Sequence, residues 1–259
     1  GHLAPRVSLR HAPRPPRMPH TLHLAASAAV AVLLASSARA ATNSRGERLT
    51  PATAVRDLPS LTAFLDEYEA NVHDGTGQTV VHWAASTGAT DAINYAVEQG
   101  GDASRSDDEG RTPLHIAALS GHVEAVDCLL RRGAKADARD VTGALPLHRA
   151  ALAGSAGAVR ALARAAPGAV DIRLPRTSGT ALHSAAYLGH VPVLEALLDA
   201  GASPCLRNRD GELPIDRFVE EDADQVAVTL EEPRVVDEAA RHRVVALLRG
   251  GTAGCGSDL

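Results

Sequence analysis

Histidine is the residue type in this chain that most invites a chemical role, because it titrates near neutral pH and binds metal ions. Four of the 12 histidines recur at intervals of 33, 33 and 35 residues, at His82, His115, His148 and His183. Ligands of one zinc ion lie about 2 Å from it, whereas equivalent positions in successive helical repeats are about 8–10 Å apart. We therefore expect these histidines to be structural and predict no metal site.

The usual catalytic motifs do not occur in the sequence. It contains no GxSxG, no HExxH and no phosphate-binding loop, and Gly75-Thr76-Gly77 is a lone G-x-G without a third glycine. The paired carboxylates Asp107 and Asp108 fall in a loop, where solvation is the default. We predict that the chain is not an enzyme and that it needs no cofactor.

The three cysteines are too few for a disulfide scaffold, and their spacing matches no zinc motif. We expect Cys128, Cys205 and Cys255 to be free thiols, with Cys128 in the core. The aromatic share is only 2%, so the apolar residues are mostly Ala, Leu and Val. Alanine favours helices and lets them approach closely, which indicates tightly packed helices.

The charge balance argues against a nucleic-acid partner. The chain has 26 basic and 31 acidic residues, and residues 1–46 hold six arginines but no acidic residue. The remainder therefore has 20 basic and 31 acidic residues, a net charge of −11. Non-specific binding to nucleic acid requires a positive surface.

Residues 1–46 have the composition of a leader or tail. An apolar run at 24–35 precedes Ala38-Arg39-Ala40, a pattern typical of a secretory signal cleaved after Ala40. An organelle transit peptide and a disordered tail are the alternatives. The run is too short to span a bilayer, so we expect no membrane span in the mature chain. We expect secretory or organelle entry if residues 18–40 act as a leader, and a cytoplasmic location otherwise.

One motif recurs four times along the chain. The copies are GQTVVHWAASTGA at 77–89, GRTPLHIAALSGH at 110–122, GALPLHRAALAGS at 143–155 and SGTALHSAAYLGH at 178–190. Threonine at the start is a helix N-cap, proline suits the first helical turn, and glycine ends the helix in a left-handed conformation. The predicted caps and first-turn prolines are Thr79, Thr112, Thr180, Pro113 and Pro146. A second apolar helix follows each copy, and neither helix can bury its apolar face alone.

This motif resembles the ankyrin repeat, G-x-T-P-L-H-x-A-A-x-x-G-H, over roughly residues 51–251. The resemblance implies an all-α solenoid of stacked helix-turn-helix units with protruding β-hairpin loops, in which the motif histidine forms hydrogen bonds within and between repeats. We assign an N-terminal partial or capping repeat at 47–73, ankyrin repeats at 74–106, 107–139, 140–174 and 175–207, a degenerate C-terminal repeat at 208–251 with an acidic insert at about 217–238, and a tail at 252–259.

Three departures from the motif predict local irregularities. The third repeat is two residues longer than the others, so we expect an irregular hairpin before the fourth. Leu145 and Leu213 replace the capping threonine, which should weaken each helix start by about 1 kcal/mol. Asp216 takes the histidine position in the last repeat. The second helix of that repeat, Arg241 to Arg249, begins later in the chain than in the other repeats.

The resemblance implies a non-enzymatic protein-interaction module, a scaffold, adaptor or regulator, that binds through its concave face and hairpin tips. The matching tip positions are Asp108, Glu109, Arg111, Val141 and Thr142, and the matching helix positions are Leu119, Ser120, Leu152, Tyr187 and Leu188. The alternative for the apolar residues among these is that the neighbouring repeat partly covers them. Trp83 could be an exposed binding anchor, and the alternative is that it packs beneath the N-terminal cap. We expect an unidentified protein partner and a monomer. The alternative function is a targeting segment of a larger enzyme, or of a ubiquitin-ligase or palmitoyltransferase assembly, whose other parts are not in this chain.

Overall fold

The computed structural model describes Thr50, residues 54–55 and 58–219, and six residues between 242 and 249. The chain divides into two compact units, Gly1–Ala40 and Ala41–Leu259, and every described residue belongs to the second. The leader at 1–46, residues 220–238 of the acidic insert and the tail at 252–259 lie outside the described residues.

The described residues form ten α-helices and one short 3₁₀ helix. The α-helices are α1 Leu58–Glu67, α2 Val80–Thr87, α3 Thr90–Glu98, α4 Pro113–Leu119, α5 Val123–Arg131, α6 Pro146–Leu152, α7 Ala156–Ala165, α8 Ala181–Leu188, α9 Val191–Asp199 and α10 Pro214–Val219. The 3₁₀ helix, Pro167–Ala169, follows α7. Within the described range, no helix has the length and apolar character needed to cross a membrane.

The helices stack in two parallel rows. The first helices α2, α4, α6, α8 and α10 each contact the next along the chain, and the second helices α1, α3, α5, α7 and α9 do the same. Each first helix from α2 to α8 also packs on the second helix that follows it. The segments around the four motif histidines therefore lie side by side in one row, as the repeat pattern predicts.

Small residues allow this close stacking. The motif alanine pairs are all buried: Ala84 and Ala85, Ala117 and Ala118, Ala150 and Ala151, and Ala185 and Ala186. Leucine, valine and isoleucine from the second helices complete one continuous core. The motif glycines after the first helices have the predicted left-handed conformation, for example Gly88 with φ 72° and Gly189 with φ 70°.

The stack extends beyond α10 toward the C-terminus. The described residues between 242 and 249 are helical, and Leu248 is fully buried. Arg243 Nη2 lies 3.1 Å from Glu195 Oε1 on α9. This segment thus packs against the second-helix row, in agreement with the late second helix predicted there.

The expectation of three free thiols is wrong for Cys205. Cys128 is free and buried, as predicted. Cys205, in contrast, is disulfide-bonded. The number and spacing of cysteines in a sequence do not show which of them the folded chain brings together. Cys255 lies outside the described residues.

Candidate protein-binding surface

The loops between repeats are tight turns whose first residue accepts several hydrogen bonds. Hairpins 1, 2, 3 and 5 are residues 74–78, 107–111, 140–144 and 208–212, and each begins with Asp or Asn. Asp140 Oδ1, for example, accepts from Thr142 N at 2.8 Å, Thr142 Oγ1 at 2.6 Å and Ala144 N at 3.0 Å. Within the described residues, pairing is limited to an isolated bridge between His73 and Thr79, so the predicted hairpins are turns without strands.

Three of the four pairs of successive hairpin tips are joined by a single backbone hydrogen bond. Asp108 N donates to Thr76 O at 3.2 Å, and Val141 N donates to Glu109 O at 3.1 Å. Arg209 N makes the corresponding bond to Thr177 O at 2.8 Å. The tips of hairpins 1, 2 and 3 therefore form one bonded series, and those of hairpins 4 and 5 form a second.

Hairpin 4, residues 174–179, is irregular as predicted. It begins with Leu174, which has no side-chain acceptor, and it is one residue longer than the others. Pro175 occupies the position whose N–H would bond to hairpin 3, so this link is missing. Its ring lies against Gly143, where an added Cβ would come within 2.6 Å of Pro175 Cδ. Ser178 takes the place of the turn glycine and has φ 53°.

Three of the four motif histidines, His82, His115 and His183, join their own repeat to the next. His115 Nδ1 lies 3.1 Å from Thr112 N and 2.9 Å from Thr112 Oγ1, and its Nε2 lies 3.0 Å from Ala144 O. Because the carbonyl only accepts, Nε2 carries the proton and Nδ1 accepts from the threonine. His82 and His183 make the same contacts, with Nε2 at 3.1 Å from Arg111 O and 3.2 Å from Glu212 O.

His148 differs at both ends. Its Nε2 contacts Ile172 O at 3.1 Å, a residue that precedes hairpin 4, whereas His115 contacts Ala144 O at the last residue of the following hairpin. Leu145 N still donates to His148 Nδ1 at 3.3 Å, and the Leu145 side chain is fully buried. The substitution for threonine therefore removes only the hydroxyl contact of the cap.

Burial favours the neutral form of three motif histidines, His82, His115 and His148. It lowers the pKa of His82 and of His115, and it lowers the pKa of His148 to about 4. Both ring nitrogens of each are occupied by hydrogen bonds. In the described part of the chain no group of three or more His, Cys, Asp or Glu side chains could hold a metal ion.

Residues after the motif histidine support the hairpins. Trp83 Nε1 donates to Asp74 Oδ2 at 2.9 Å, and Trp83 is half-buried against the core. Arg149 forms an ion pair with the buried Asp140. Burial alone would raise the pKa of Asp140, but hydrogen bonds from Thr142 and Arg149 outweigh it and lower the pKa to about 2. The structure thus favours packing over an exposed anchor for Trp83.

The histidine series ends at α10. Asp216 takes the histidine position, and its Oδ2 accepts from Leu213 N at 2.8 Å. This contact is equivalent to the one between Thr112 N and His115 Nδ1, so Asp216 supplies the acceptor that histidine supplies in the other repeats. An ionised carboxylate only accepts hydrogen bonds, so Asp216 cannot donate to a further repeat.

Three apolar side chains stand exposed on successive first helices. Leu119 on α4 is 46% exposed, Leu152 on α6 is 41% exposed and Tyr187 on α8 is 43% exposed. Each lies four residues after its motif histidine, so contact between neighbouring helices places them in one line, which we call the exposed row. Adjacent members are separated by about 8–10 Å, the spacing of packed helices.

The other predicted binding residues lie beside the exposed row or on the tips. Ser120 is exposed, whereas Leu188 is half-buried. Asp108, Glu109, Val141 and Thr142 are exposed on hairpins 2 and 3. Arg111 is partly buried because its guanidinium pairs with Asp107 Oδ2 at 2.9 Å and Glu109 Oε2 at 3.0 Å.

A family model described as ankyrin repeats, three copies, matches residues 22–140 and 129–208, which together make up most of the chain. The chain belongs to the ankyrin-repeat family. Ankyrin repeats are generally protein–protein interaction modules and are typically non-enzymatic. A search of curated proteins gives no match.

Proposed function

We propose that this ankyrin-repeat protein binds a partner protein through the exposed row and the neighbouring hairpin tips. The observation that carries the proposal is the repeated exposure of a large apolar side chain at one position of α4, α6 and α8. The same position in α2 holds the half-buried Ser86. An aligned set of exposed apolar groups is typical of a contact surface, and tyrosine is common among residues that dominate binding energy.

The rigid stack supports this proposal. The exposed row lies on helices that are fixed by buried alanines and by the histidine bonds between repeats. A rigid surface loses little conformational entropy on binding, so more of the contact energy contributes to affinity. Covering each large apolar side chain contributes roughly 1–2 kcal/mol.

The test compares protein capture by the full-length chain and by two variants. The first variant is L119D/L152D/Y187D, which replaces the exposed row with charge. The matched control is L58D, because Leu58 is 49% exposed on α1 but lies on the second-helix row. Quantitative mass spectrometry measures the captured proteins, and circular dichroism measures helicity.

We expect wild type and L58D to capture the same proteins in equal amounts. The triple variant should bind them at least about tenfold more weakly, which corresponds to about 1.4 kcal/mol of binding free energy. Helicity should be equal in all three. Undiminished capture by the triple variant would show that the exposed row is not the binding face.

A further inference from the structure

Charge is distributed unevenly along the stack. Residues 58–138 contain 13 acidic and 5 basic residues, a net charge of −8. Residues 139–212 contain 8 basic and 6 acidic residues, a net charge of +2. A chain that is acidic overall therefore has a basic segment within its last repeats, and the arginines of that segment concentrate on the hairpin edge.

Three of these arginines recur at one position. Arg139, Arg173 and Arg207 each immediately precede the first residue of hairpins 3, 4 and 5, at intervals of 34 residues. All three are exposed, whereas the equivalent positions of hairpins 1 and 2 hold His73 and Ser106. We call Arg139, Arg173 and Arg207 the arginine column.

Two members of the arginine column are held by their own hairpins. Arg139 Nη1 donates to Gly143 O at 3.3 Å, and Arg207 Nη1 donates to Gly211 O at 2.6 Å. A guanidinium has five N–H donors, so most of the donors on each side chain face solvent. The hydrogen bond fixes the side chain and reduces the entropy that a ligand contact would cost.

The adjacent tips add two arginines and an apolar group. Arg176 and Arg209 are exposed, and Arg209 Nη1 donates to Arg176 O at 3.3 Å. Val141 is 73% exposed on hairpin 3. In the part of the chain that the structure describes, no ion pair engages the arginine column, Arg176 or Arg209.

Nearby acidic groups do not neutralise this surface. Asp140 is buried and paired with Arg149, and Asp171 accepts a hydrogen bond from Ser203 N at 2.9 Å. Asp137 and Asp210 are exposed, and Asp210 shares the tip of hairpin 5 with Arg209. Five arginines therefore outnumber the nearby carboxylates, which are the exposed Asp137, Asp171 and Asp210 and the half-buried Glu212.

We propose that the arginine column and its two flanking arginines bind an acidic, extended segment of the partner protein. Guanidinium groups pair with carboxylates in a two-point geometry. Three hairpins span about 20 Å, the length of about six residues of extended chain. The charge of −8 on the preceding repeats disfavours a long polyanion such as nucleic acid. This inference rests on the proposed protein-binding function and specifies the chemistry of the partner.

The probe is a fluorescein-labelled peptide of alternating Asp and Glu, about eight residues long, and its control is the matching Asn and Gln peptide. Fluorescence anisotropy measures binding to the full-length chain at low and high salt. The test variant is R139A/R173A/R207A. The matched control is R131A/R160A/R164A, which removes the same charge from exposed positions on α5 and α7.

We expect the acidic peptide to bind, its affinity to fall with salt, and the amide peptide not to bind. Affinity should fall at least about tenfold in R139A/R173A/R207A and at most about twofold in the control, since three charge-assisted contacts are lost only in the first. Equal losses in both variants, or no binding of the acidic peptide, would overturn the proposal.

Three further measurements identify the occupant and separate the two proposals. Tighter binding of a single-stranded oligonucleotide, or self-association that R139A/R173A/R207A abolishes, would overturn the choice of a partner's acidic segment. The L119D/L152D/Y187D variant should still bind the peptide. If the peptide does not bind but the L119D/L152D/Y187D variant loses protein capture, only the proposal for the arginine column is wrong. If the peptide binds but the L119D/L152D/Y187D variant captures as much protein as wild type, only the proposed binding face is wrong.

Discussion

The motif histidines illustrate how one residue type can serve two repeats at once. A neutral imidazole has one donor and one acceptor on opposite sides of a small ring, so it can accept from a helix N-cap and donate to the next loop. His82 does this between Thr79 and Arg111, and His115 between Thr112 and Ala144. Protonation would remove the acceptor, so the contact requires the neutral form.

This requirement makes stability depend on pH. The folded-state pKa of His82, His115 and His148 is lowered by burial, so the unfolded chain binds more protons below the ordinary value of 6.5. Stability is therefore complete above about pH 6.5 and falls as the pH decreases toward the folded-state values. His148, with a pKa of about 4, contributes up to roughly 3 kcal/mol of this loss.

Denaturant unfolding of the full chain at pH 7 and pH 4.5 measures this effect. We expect the free energy of unfolding to be lower at pH 4.5 by a few kcal/mol. His148→Gln should be less stable at pH 7 and should show a smaller difference between the two pH values. A free energy that stays constant from pH 7 to pH 4.5 would contradict the account.

The threonine caps give a second prediction at the same scale. Thr112→Ala removes the hydroxyl that lies 2.9 Å from His115 Nδ1 and should reduce the free energy of unfolding by about 1 kcal/mol. Thr112→Ser retains the hydroxyl and should cost less than half as much. Equal losses in chemical denaturation would indicate that the methyl group, and not the hydrogen bond, stabilises this helix start.

The sequence predicted the histidine and threonine positions because the motif repeats in phase. It did not predict what Asp216 does. A carboxylate in the histidine position can cap α10 by accepting from Leu213, as it does at 2.8 Å, and only the structure shows that it supplies this acceptor. Leu145 is similar, because the contact of His148 with its backbone is visible only once the fold is known.

At the scale of the element, hairpin 4 is the exception among the turns. Ser178 has φ 53°, whereas the equivalent residues are glycines such as Gly143 with φ 78°. A left-handed conformation is unfavourable for a residue with a side chain by roughly 1 kcal/mol. This strain and the missing bond at Pro175 both fall at the junction of the third and fourth repeats.

Ser178→Gly should therefore stabilise the protein by about 0.5–1 kcal/mol. The matched change Gly143→Ser should destabilise it by more, since its Cβ would lie 2.6 Å from Pro175 Cδ in addition to the backbone strain. Thermal unfolding of both variants measures the effects. A decrease in melting temperature for Ser178→Gly would show that Ser178 makes a contact outweighing the strain.

The irregularity of hairpin 4 could be predicted from the sequence, because His148 and His183 are 35 residues apart and the other motif histidines are 33 apart. The two extra residues must lie in the loops between these two repeats. The form of hairpin 4 does not follow, because the extra residues divide between the loop after α7 and the tip itself. The disulfide of Cys205 was missed for a related reason. Repeat spacing describes regular contacts and gives no information on contacts that break the regularity.

At the scale of the molecule, the stack is held by faces that neighbouring repeats share. Ala118 is fully buried where α4 meets its neighbours. Ala118→Leu should cost about 1–3 kcal/mol, because a tightly packed site cannot accept extra methylenes without moving the neighbouring helix. Ala153→Leu, at an exposed position just after α6, should change the free energy of unfolding by less than about 0.5 kcal/mol.

Chemical denaturation of the two alanine variants tests whether the repeats depend on one another. Each repeat unit buries its apolar face only against its neighbours, so loosening the α4 junction should weaken the whole stack. An equal, small effect of both substitutions would contradict the close packing of the first helices.

The binding surface was predictable only in part. Motif alignment places Leu119, Leu152 and Tyr187 at one repeat position, but their exposure depends on how far each neighbouring repeat covers them. The arginine column was not predicted, although its interval of 34 residues is present in the sequence. Its significance depends on which arginines have carboxylate partners, and that is a property of the folded chain.

The central claim is that the exposed row is the surface that contacts a partner. Leu152→p-benzoylphenylalanine in the full-length chain places a photo-crosslinker in the middle of the exposed row, and Leu58→p-benzoylphenylalanine places it at a similarly exposed site on the second-helix row. Irradiation in the presence of cell extract, followed by mass spectrometry, measures covalent adducts. The account predicts a discrete protein adduct at position 152 and none at position 58. Adducts at both positions in equal yield, or only at position 58, would contradict it.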